Sequence, residues 1–411
     1  MDPALVLRLA SHEGRALLES LPPDADRRAL TVATSLRAAG HDPQLVAAAL
    51  HQAELRARAR AKFGEQATRM LFTADGLEQA TRPELAARHA GRFVEAGVRT
   101  VHDLGCGIGS DARAFASAGL RVLAYDRDPA TAAVATANLA QWPDALVSVR
   151  DTTDLGLEGT GSPAGQRHTG VWFDPARRRA DRTVEGRARR TWSLDDLSPS
   201  WAHVCAVAAG VPATGAKLAP GMPYAAVPAG CEAQWTSWRG EVLECVVWWG
   251  PLVRAPGRTA AVCRPGPDGV ETSLLTKVDV VPDLPPAVPG IAELGTWLWE
   301  ADRAVVRAGL TGALPGRQLT PGSGLSTADA GPDLPWARKW RVVEALPLRP
   351  KRIRAWLRSR DIGRVTVKKR HASIDPERLR RELATGRDGA ITLIVTTIGD
   401  TGAAIAVTPA D

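Results

Sequence analysis

The chain has 411 residues, of which 45% are hydrophobic and 24% are charged, and its net charge is +7. This length predicts several domains, and the composition excludes a disordered chain. The five scattered cysteines include no C-x-x-C pair, which argues against a disulfide framework and a zinc site, and no apolar run reaches about 18 residues. We therefore expect a cytoplasmic protein with no metal and no membrane span.

Residues 1–92 are the first predicted region, and their composition indicates helices. Ala, Leu, Arg and Glu dominate there, Asp42 before Pro43 predicts a helix start, and apolar residues recur every three or four positions between 44 and 71. A second helix start lies around Pro83, where Thr81 is the predicted N-cap. We expect these helices to form a small cap against the next domain.

A glycine turn between two strands follows at residues 101–129. The sequence predicts a buried strand that ends at Asp103, a turn with Gly105, Gly107 and Gly109, a helix, and a second strand that ends at Asp126. Glycines let a ligand approach the backbone closely, and an acid at the end of the second strand can accept hydrogen bonds from ribose hydroxyls. The pattern predicts a nucleoside site.

The spacing of these glycines distinguishes between two cofactors. The dinucleotide fingerprint is G-x-G-x-x-G, whereas this chain has G-x-G-x-G followed by Ser110. Asp103 would repel a pyrophosphate but would pair with the α-ammonium group of an amino acid. The pattern therefore favours S-adenosylmethionine over NAD. The alternative is a nucleotide-type fold that no longer binds a ligand.

The run D-L-G-C-G-I-G-S at 103–110 resembles the first motif of class I S-adenosylmethionine-dependent methyltransferases. The resemblance implies a Rossmann-like α/β sheet in which the turn frames the methionine end of the cofactor, Asp126 holds the ribose and Asp151 reaches the adenine. The cofactor-binding residues predicted in this way are Asp103, Gly105, Cys106, Gly107, Gly109, Asp126, Arg127, Asp151 and Thr152.

The loop after the fourth predicted strand carries the sequence D-P-A-R. It occupies the place of the N/D-P-P-aromatic motif of nucleobase amino-methyltransferases. Asp174 and the carbonyl group of Pro175 would orient an exocyclic amine, and Arg177, which departs from the aromatic residue, would stack on the base. These three residues are the predicted catalytic residues. The loop offers no cysteine nucleophile, so methylation at C5 of a pyrimidine is disfavoured.

Seven arginines lie at 177–190. Long cations beside a catalytic loop suit contacts with a phosphate backbone, so Arg178 and Arg179 are predicted to bind RNA. The alternative is salt bridging within the protein, with Asp195 and Asp196 as partners.

The later motifs resemble bacterial class I methyltransferases that end in a THUMP-like domain, with a more distant likeness to the RNA-cap guanine-N2 methyltransferases. The segments that carry this resemblance are G-A-K-L-A-P-G at 215–221, W-L-W-E-A-D-R-A-V-V-R-A-G-L at 297–310 and V-K-K-R-H-A-S-I-D-P-E-R-L-R-R-E-L-A-T-G at 367–386. Lys217 matches a lysine of this family, but the sequence assigns it no role. The predicted domains are an N-terminal helical region (1–92), the S-adenosylmethionine-binding methyltransferase domain (93–250), a ferredoxin-like accessory domain (251–330) and a basic THUMP-like domain (331–411), the last two of α+β type.

Positive charge is concentrated near the C-terminus. Residues 349–381 contain thirteen Lys or Arg and three acids, a net charge of 13 − 3 = +10, so the rest of the chain carries 7 − 10 = −3. This distribution predicts a surface for a polyanion, and the alternative is a solvated helical face. The predicted RNA-binding residues here are Lys351, Arg352, Arg354, Lys368, Lys369 and Arg370.

Together these patterns predict a methyltransferase that modifies a nucleobase of RNA, with S-adenosyl-L-methionine as the cofactor and tRNA or rRNA as the substrate. Two alternatives stay open. The protein could methylate a small molecule or another protein, or it could be a non-catalytic RNA-binding module with a vestigial cofactor site. A steep fall of RNA affinity with salt would argue against the first alternative, and turnover would argue against the second.

Overall fold

The computed structural model describes residues 2–157, 168–177, 194–267 and 269–410, and of Arg177 only the backbone. It divides into two compact units. The first unit comprises residues 1–222 and 247–254, and the second comprises residues 223–246 and 255–411.

Helices fill the N-terminal part of the first unit, as predicted. They are α1 (Pro3–Ala10), α2 (His12–Ser20), α3 (Ala29–Ala38), α4 (Pro43–Phe63), α5 (Ala74–Gln79) and α6 (Pro83–Glu95). Asp42 caps α4 by accepting a hydrogen bond from the backbone N–H of Leu45, and Pro43 occupies the first turn, where a missing N–H costs nothing. The apolar faces of α1 to α5 pack in one cluster with Ile108 and Val134, so these helices share a core with the elements that follow.

Strands and helices then alternate along the first unit. They are β1 (Thr100–Leu104), α7 (Ser110–Ser117), β2 (Arg121–Asp126), α8 (Pro129–Leu139), β3 (Ala145–Val149), β4 (Thr169–Phe173), β5 (Ala176–Arg177), β6 (Leu197–Ser198), α9 (Trp201–Gly210) and β7 (Ala213–Leu218). The short β5 and β6 pair with each other. The other strands lie in the order β7-β4-β1-β2-β3, and β4 pairs in parallel with both β1 and β7. The predicted α/β fold with a parallel sheet is confirmed.

The second unit begins with strands β8 (Glu232–Trp238), β9 (Glu241–Trp248), β10 (Gly257–Gly266) and β11 (Gly269–Leu275), in the sheet order β11-β10-β8-β9. The last two residues of β9 belong to the first unit. Arg239 and Gly240 join β8 to β9 with φ angles of 52° and 84°. Two successive positive φ angles are typical of a tight hairpin turn.

A further sheet occupies the rest of the second unit. Its elements are β12 (Trp297–Ala301), α10 (Arg303–Ala308), β13 (Arg317–Gln318), β14 (Leu325–Ala328), β15 (Ala337–Pro347), α11 (Pro350–Ser359), β16 (Ile362–Lys369), α12 (Pro376–Leu383), β17 (Gly389–Ile398) and β18 (Thr401–Pro409). The strand order is β13-β14-β12-β15-β18-β17-β16. The last two strands, β17 and β18, pair antiparallel. Helices α11 and α12 bury Ile353, Leu357, Leu379 and Leu383 in one core with β17.

The two units divide the chain at other points than the predicted boundary after residue 250. β10, which follows that boundary, pairs in parallel with β8, which precedes it. Likewise β12, before the predicted boundary at 330, pairs with β15 behind it. Hydrogen bonding of strands across a boundary is not visible in local composition. The division into four domains stays a prediction.

Within the described part of the chain, none of the helices combines the length and the apolar character needed to cross a lipid bilayer.

Candidate functional site

The carboxyl ends of β1 and β4 form the centre of the candidate site. These strands are neighbours, and Leu104 lies opposite Phe173. From β1 the chain proceeds to β2 and β3 on one side, and β4 then returns to the other side of β1. Ligands of open α/β sheets bind at such a reversal of strand order. The glycine turn follows β1 and Asp174 follows β4, so both predicted motifs lie here.

The glycines of the turn have conformations that favour this residue. Gly105, Gly107 and Gly109 have φ angles of 89°, 55° and 82°. A Cβ atom on Gly105 would lie 3.0 Å from the backbone oxygen of Asp174, whereas one on Gly107 would meet nothing within 4 Å. Gly105 thus allows the two loops to approach each other, and Gly107 faces open space.

Asp103 lies in β1, and its carboxyl group is buried. Its exposed fraction is 1%, and neither carboxyl oxygen has a hydrogen-bond partner among the residues that the structure describes. Burial raises the pKa of Asp103 well above its ordinary value, and the negative charges of Asp111 and Asp174 raise it further, while Lys217 opposes them. A buried acid without a hydrogen-bond partner destabilises the folded protein. Such acids are typical of sites that bind a cationic ligand.

Asp126, at the end of β2, supports the glycine turn. Its carboxylate accepts hydrogen bonds from the backbone N–H groups of Gly107 at 3.1 Å and Asp128 at 2.9 Å. Burial raises the pKa of Asp126, and those two hydrogen bonds counteract it. Arg127 beside it is exposed and donates to Ser198 Oγ at 3.4 Å.

The remaining predicted cofactor residues differ in exposure. Asp151 follows β3 on the surface, and its Oδ1 accepts hydrogen bonds from the backbone N–H and the hydroxyl group of Thr153, which lower its pKa. Thr152 is buried. Cys106 is also buried, and burial raises the pKa of its thiol, so it is not a thiolate nucleophile.

The structure brings together several residues around Asp174 that were not among the predicted site residues. Lys217 Nζ, from β7, lies 2.6 Å from Asp174 Oδ2 and donates to Thr81 Oγ1 at 2.8 Å. The Thr81 hydroxyl donates to Asp111 Oδ2 at 2.6 Å, and Asp111 Oδ1 lies 2.9 Å from Nδ1 of the buried His89. The prediction that Thr81 caps α6 is wrong. Arg82 holds the N-cap position, because the Thr81 side chain bonds to α7 instead.

Lys62 adds a titratable cation to this neighbourhood. Its Nζ donates to the backbone oxygens of Leu77 at 2.9 Å and Glu78 at 3.1 Å. Burial, followed by the positive charges of Lys217 and Arg82, lowers the pKa of Lys62 to about 8. The site therefore carries a cation that loses part of its charge just above neutral pH.

The other predicted residues of this loop are described only in part. Pro175 is buried, and the backbone of Arg177 pairs with Leu197 of β6. The Arg177 side chain, Arg178 and Arg179 lie outside the described residues, so their predicted contacts with the base and with RNA stay predictions.

In the second unit, Lys368 and Arg370 are half-buried and pair with the buried Glu300. Glu300 Oε2 lies 2.9 Å from Lys368 Nζ and accepts a hydrogen bond from Trp340 Nε1 at 3.0 Å. Arg370 pairs with the other carboxylate oxygen. These two cations, predicted to bind RNA, thus neutralise an internal acid on β12. Lys369 is exposed and donates to the backbone oxygen of Ile374.

Glu300→Ala is expected to lower the free energy of unfolding by about 2–3 kcal/mol, because it leaves two half-buried cations without their acid. Burial raises the pKa of Glu300, but the charges of Arg370 and Lys368 outweigh it and the net shift is downward. The contribution is therefore complete above the ordinary value of 4.5 and is lost as the pH falls through the lowered pKa. Urea denaturation at pH 7 and at acid pH measures both effects. An equal loss in Glu300→Ala at both pH values would contradict this account.

Helix α11 presents the other predicted cations to solvent. Lys351, Arg352 and Arg354 are exposed, as is Arg358, which was not among the predicted residues, whereas Ile353 and Leu357 are buried. The segment Pro350–Ser359 contains no acid. This amphipathic arrangement anchors the helix through its apolar face and leaves the basic face to solvent.

S-adenosylmethionine, expected from the resemblance, fits the site in the first unit. The orphaned carboxyl group of Asp103 is complementary to an α-ammonium group, and Gly107 leaves open space at the turn. Where the structure describes the chain, no group of three or more His, Cys, Asp or Glu could hold a metal ion.

Residues 337–409 match the family model described as THUMP domain-like, and residues 2–59 match a domain of unknown function (DUF8688). Two curated proteins of Mycobacterium tuberculosis, from strains CDC 1551 / Oshkosh and ATCC 25618 / H37Rv, are each 31% identical over 362 residues, which is 84% of this chain and 91% of each relative. Both are named uncharacterized S-adenosylmethionine-dependent methyltransferases.

A solved structure has the same fold. The crystal structure of a protein from Porphyromonas gingivalis W83, assigned to the methyltransferases, superimposes with a TM-score of 0.73 at 20% identity and covers 100% of both chains. This likeness confirms the predicted fold class, from the N-terminal helices to the C-terminal α+β region.

Proposed function

Because this chain belongs to the family of S-adenosylmethionine-dependent methyltransferases, we propose that it transfers the methyl group of that cofactor to a nucleobase of RNA. The observation that carries the proposal is the position of Asp174. Its carboxylate is held by Lys217 at 2.6 Å, and its backbone oxygen lies beside Gly105 of the glycine turn, at the switch point of the sheet. The exposed basic face of α11, within the THUMP-like segment, supports RNA as the substrate.

In this proposal the end of each parallel strand binds one part of the cofactor. Asp103 pairs with the α-ammonium group, and the glycine turn lets the methionine end approach the backbone. Asp126 accepts hydrogen bonds from the ribose, and Asp151 with Thr152 borders the adenine. The buried, unpaired carboxyl group of Asp103 supports the first of these roles.

Asp174 and Pro175 orient the acceptor in this proposal. The cofactor, when bound, supplies a methyl group that its sulfonium charge has already activated. The protein must therefore chiefly aim the lone pair of an exocyclic amine, and two acceptors on one side of that amine do so. Asp174 Oδ and the backbone oxygen of Pro175 are the acceptors, and Arg177 stacks on the base.

Helix α11 captures the RNA through its phosphates. Exposed Lys and Arg side chains displace counterions from a nucleic acid backbone, which gives affinity without sequence preference. Lys351, Arg352 and Arg354 supply this charge, together with Lys369. Lys368 and Arg370 contribute less, since both already pair with Glu300, whose single negative charge offsets one of the two positive charges.

Replacing Lys351, Arg352 and Arg354 together by Ala is expected to weaken RNA binding and to reduce the slope of log Kd against log salt by about 2, at roughly 0.7 per phosphate contact on a single strand. Fluorescence anisotropy with labelled total tRNA and rRNA fragments measures the slope, and transfer of labelled methyl groups from the cofactor measures activity.

The matched control replaces Arg378 and Arg380 of α12 by Ala, because each already pairs with a glutamate of its own helix. It is expected to leave the slope nearly unchanged. An RNA affinity that does not change with salt concentration, or a methyl group found on protein or small molecules instead of RNA, would contradict the proposal.

A further inference from the structure

We infer that Thr81 and Lys217 are positioning residues, which hold the Asp174 carboxylate in a fixed relation to the glycine turn. The inference rests on the proposed role of Asp174 and deepens it. It assigns a function to a chain of side chains that begins at the buried His89, Asp111 and Thr81 and continues through the partly exposed Lys217 to Asp174.

Thr81 is tied to the end of the glycine turn by two contacts. Ser110 and Asp111 are the first residues of α7, directly after Gly109. Ser110 Oγ donates to the backbone oxygen of Thr81 at 2.7 Å, and Asp111 Oδ2 accepts from the Thr81 hydroxyl at 2.6 Å. Thr81 is only 5% exposed, so water does not compete for these bonds. A displacement of the turn therefore displaces Thr81.

The Thr81 hydroxyl has one proton, and this fixes its orientation. Because the proton goes to Asp111, the lone pairs of Oγ1 accept, and Lys217 Nζ donates to them at 2.8 Å. A lysine ammonium on its four-carbon chain has many rotamers, and a fixed acceptor selects one of them. That rotamer places Nζ 2.6 Å from Asp174 Oδ2. Valine at position 81 has nearly the same shape but cannot select it.

The far end of the chain keeps Asp111 ionised. Burial alone would raise the pKa of Asp111, but the hydrogen bond and charge of His89 outweigh it, with help from Lys217 and Thr81, and the net shift is downward. The His89 ring lies against Trp172 of β4, with the centroids 4.5 Å apart. Asp111, which accepts the Thr81 proton, is thus held by His89, and the His89 ring packs on the strand that ends next to Asp174.

The backbone brings the two ends together independently of these side chains. The backbone N–H of Asp174 donates to the oxygen of Leu104 at 3.3 Å, next to Gly105. The peptide of Asp174 is therefore set by the sheet, whereas the direction of its carboxylate depends on Lys217. Thr81→Val should therefore change the direction of the Asp174 carboxylate without moving β4.

The experiment compares Thr81→Val, Thr81→Ser, Lys217→Met and the double variant Thr81→Val/Lys217→Met in the full chain. We expect Thr81→Val to lower kcat about 10- to 100-fold, as for a misplaced reacting group, while the Kd of S-adenosylhomocysteine changes less than about threefold. Thr81→Ser should retain most of the kcat of the intact protein. The double variant should be no slower than Lys217→Met, since both changes break one chain.

Thr214→Val is the matched structural control. Thr214 is fully buried, and its hydroxyl donates to the backbone oxygen of Val211 on the same unit. Its replacement should lower the melting temperature without a selective fall in kcat. Multiplicative losses in the double variant, or a Thr81→Ser enzyme as slow as Thr81→Val, would overturn the inference.

Crystal structures of Thr81→Val and Thr81→Ser separate this inference from the proposed function. If the intact protein transfers no methyl group to RNA, the proposed function fails, but the geometry can still be read. The inference expects Lys217 Nζ to leave Asp174 Oδ2 in the valine variant and to stay there in the serine variant. An unchanged ion pair in Thr81→Val would overturn it. Should Thr81→Val not fold, Thr81→Ala serves in the same comparison.

Discussion

Asp174→Ala is expected to lower kcat for methyl transfer about 10²- to 10³-fold while S-adenosylhomocysteine still binds. The carboxylate is the proposed acceptor for the exocyclic amine, and alanine removes it together with the ion pair to Lys217. The amine then loses the group that aims its lone pair, whereas the residues proposed for the cofactor are intact. Single-turnover transfer of labelled methyl groups measures the first effect, and calorimetry measures the second.

Asp174→Asn is the matched control for this prediction. The amide keeps one acceptor oxygen near the original position and replaces the other, with the negative charge, by a neutral NH2 group. We expect it to retain more activity than Asp174→Ala. Full activity in Asp174→Ala would contradict the proposed role, and loss of cofactor binding in both variants would indicate a damaged loop.

Asp103→Asn is expected to change cofactor affinity and stability in opposite directions. Its carboxyl group is buried without a hydrogen-bond partner in the described chain, so asparagine removes an acid that the folded protein cannot solvate. We expect the free energy of unfolding to rise by about 1–3 kcal/mol at pH 7. The affinity for S-adenosylmethionine should fall about 10- to 100-fold, because a charge-assisted hydrogen bond to the α-ammonium group is lost.

The gain in stability should depend on pH. Burial, followed by the charges of Asp111 and Asp174, raises the pKa of Asp103 in the folded protein above the ordinary value of 3.8. The unfolded chain therefore loses this proton at a lower pH than the folded chain, and the intact protein loses stability as the pH rises from 3.8 towards the raised pKa. Asp103→Asn should match the intact protein below pH 3.8 and exceed it increasingly above. Chemical denaturation over this range measures the difference, and a constant difference would refute the argument.

Those parts of the site that depend on local sequence could be predicted. The glycine turn, Asp103 and Asp126 lie within one strand–helix–strand unit, where the periodicity of apolar residues and the conformational demands on glycine act over short distances. The acceptor loop after β4 could be placed for the same reason, because parallel strands bring their carboxyl ends to one edge.

Contacts between residues distant in sequence could not be predicted. Thr81 and Lys217 are 136 positions apart, so nothing near Thr81 indicates that its hydroxyl serves a lysine rather than a helix end. The count of basic residues likewise included Lys368, whose acid, Glu300, lies 68 positions earlier. A charge count registers the sign of a side chain but not the partner that neutralises it.

The position of Glu300 bears on what constitutes an autonomous folding unit. The segment recognised by sequence similarity begins at residue 337, yet Glu300 lies on β12, which pairs with β15 over residues 297–301 and 337–341. Residues 337–409 alone would expose the unpaired edge of β15, and Lys368 and Arg370 would lack the carboxylate of Glu300. The limits of the domain set by sequence similarity therefore differ from those set by folding, and any fusion protein or domain transplant would have to include β12 with residues 337–409.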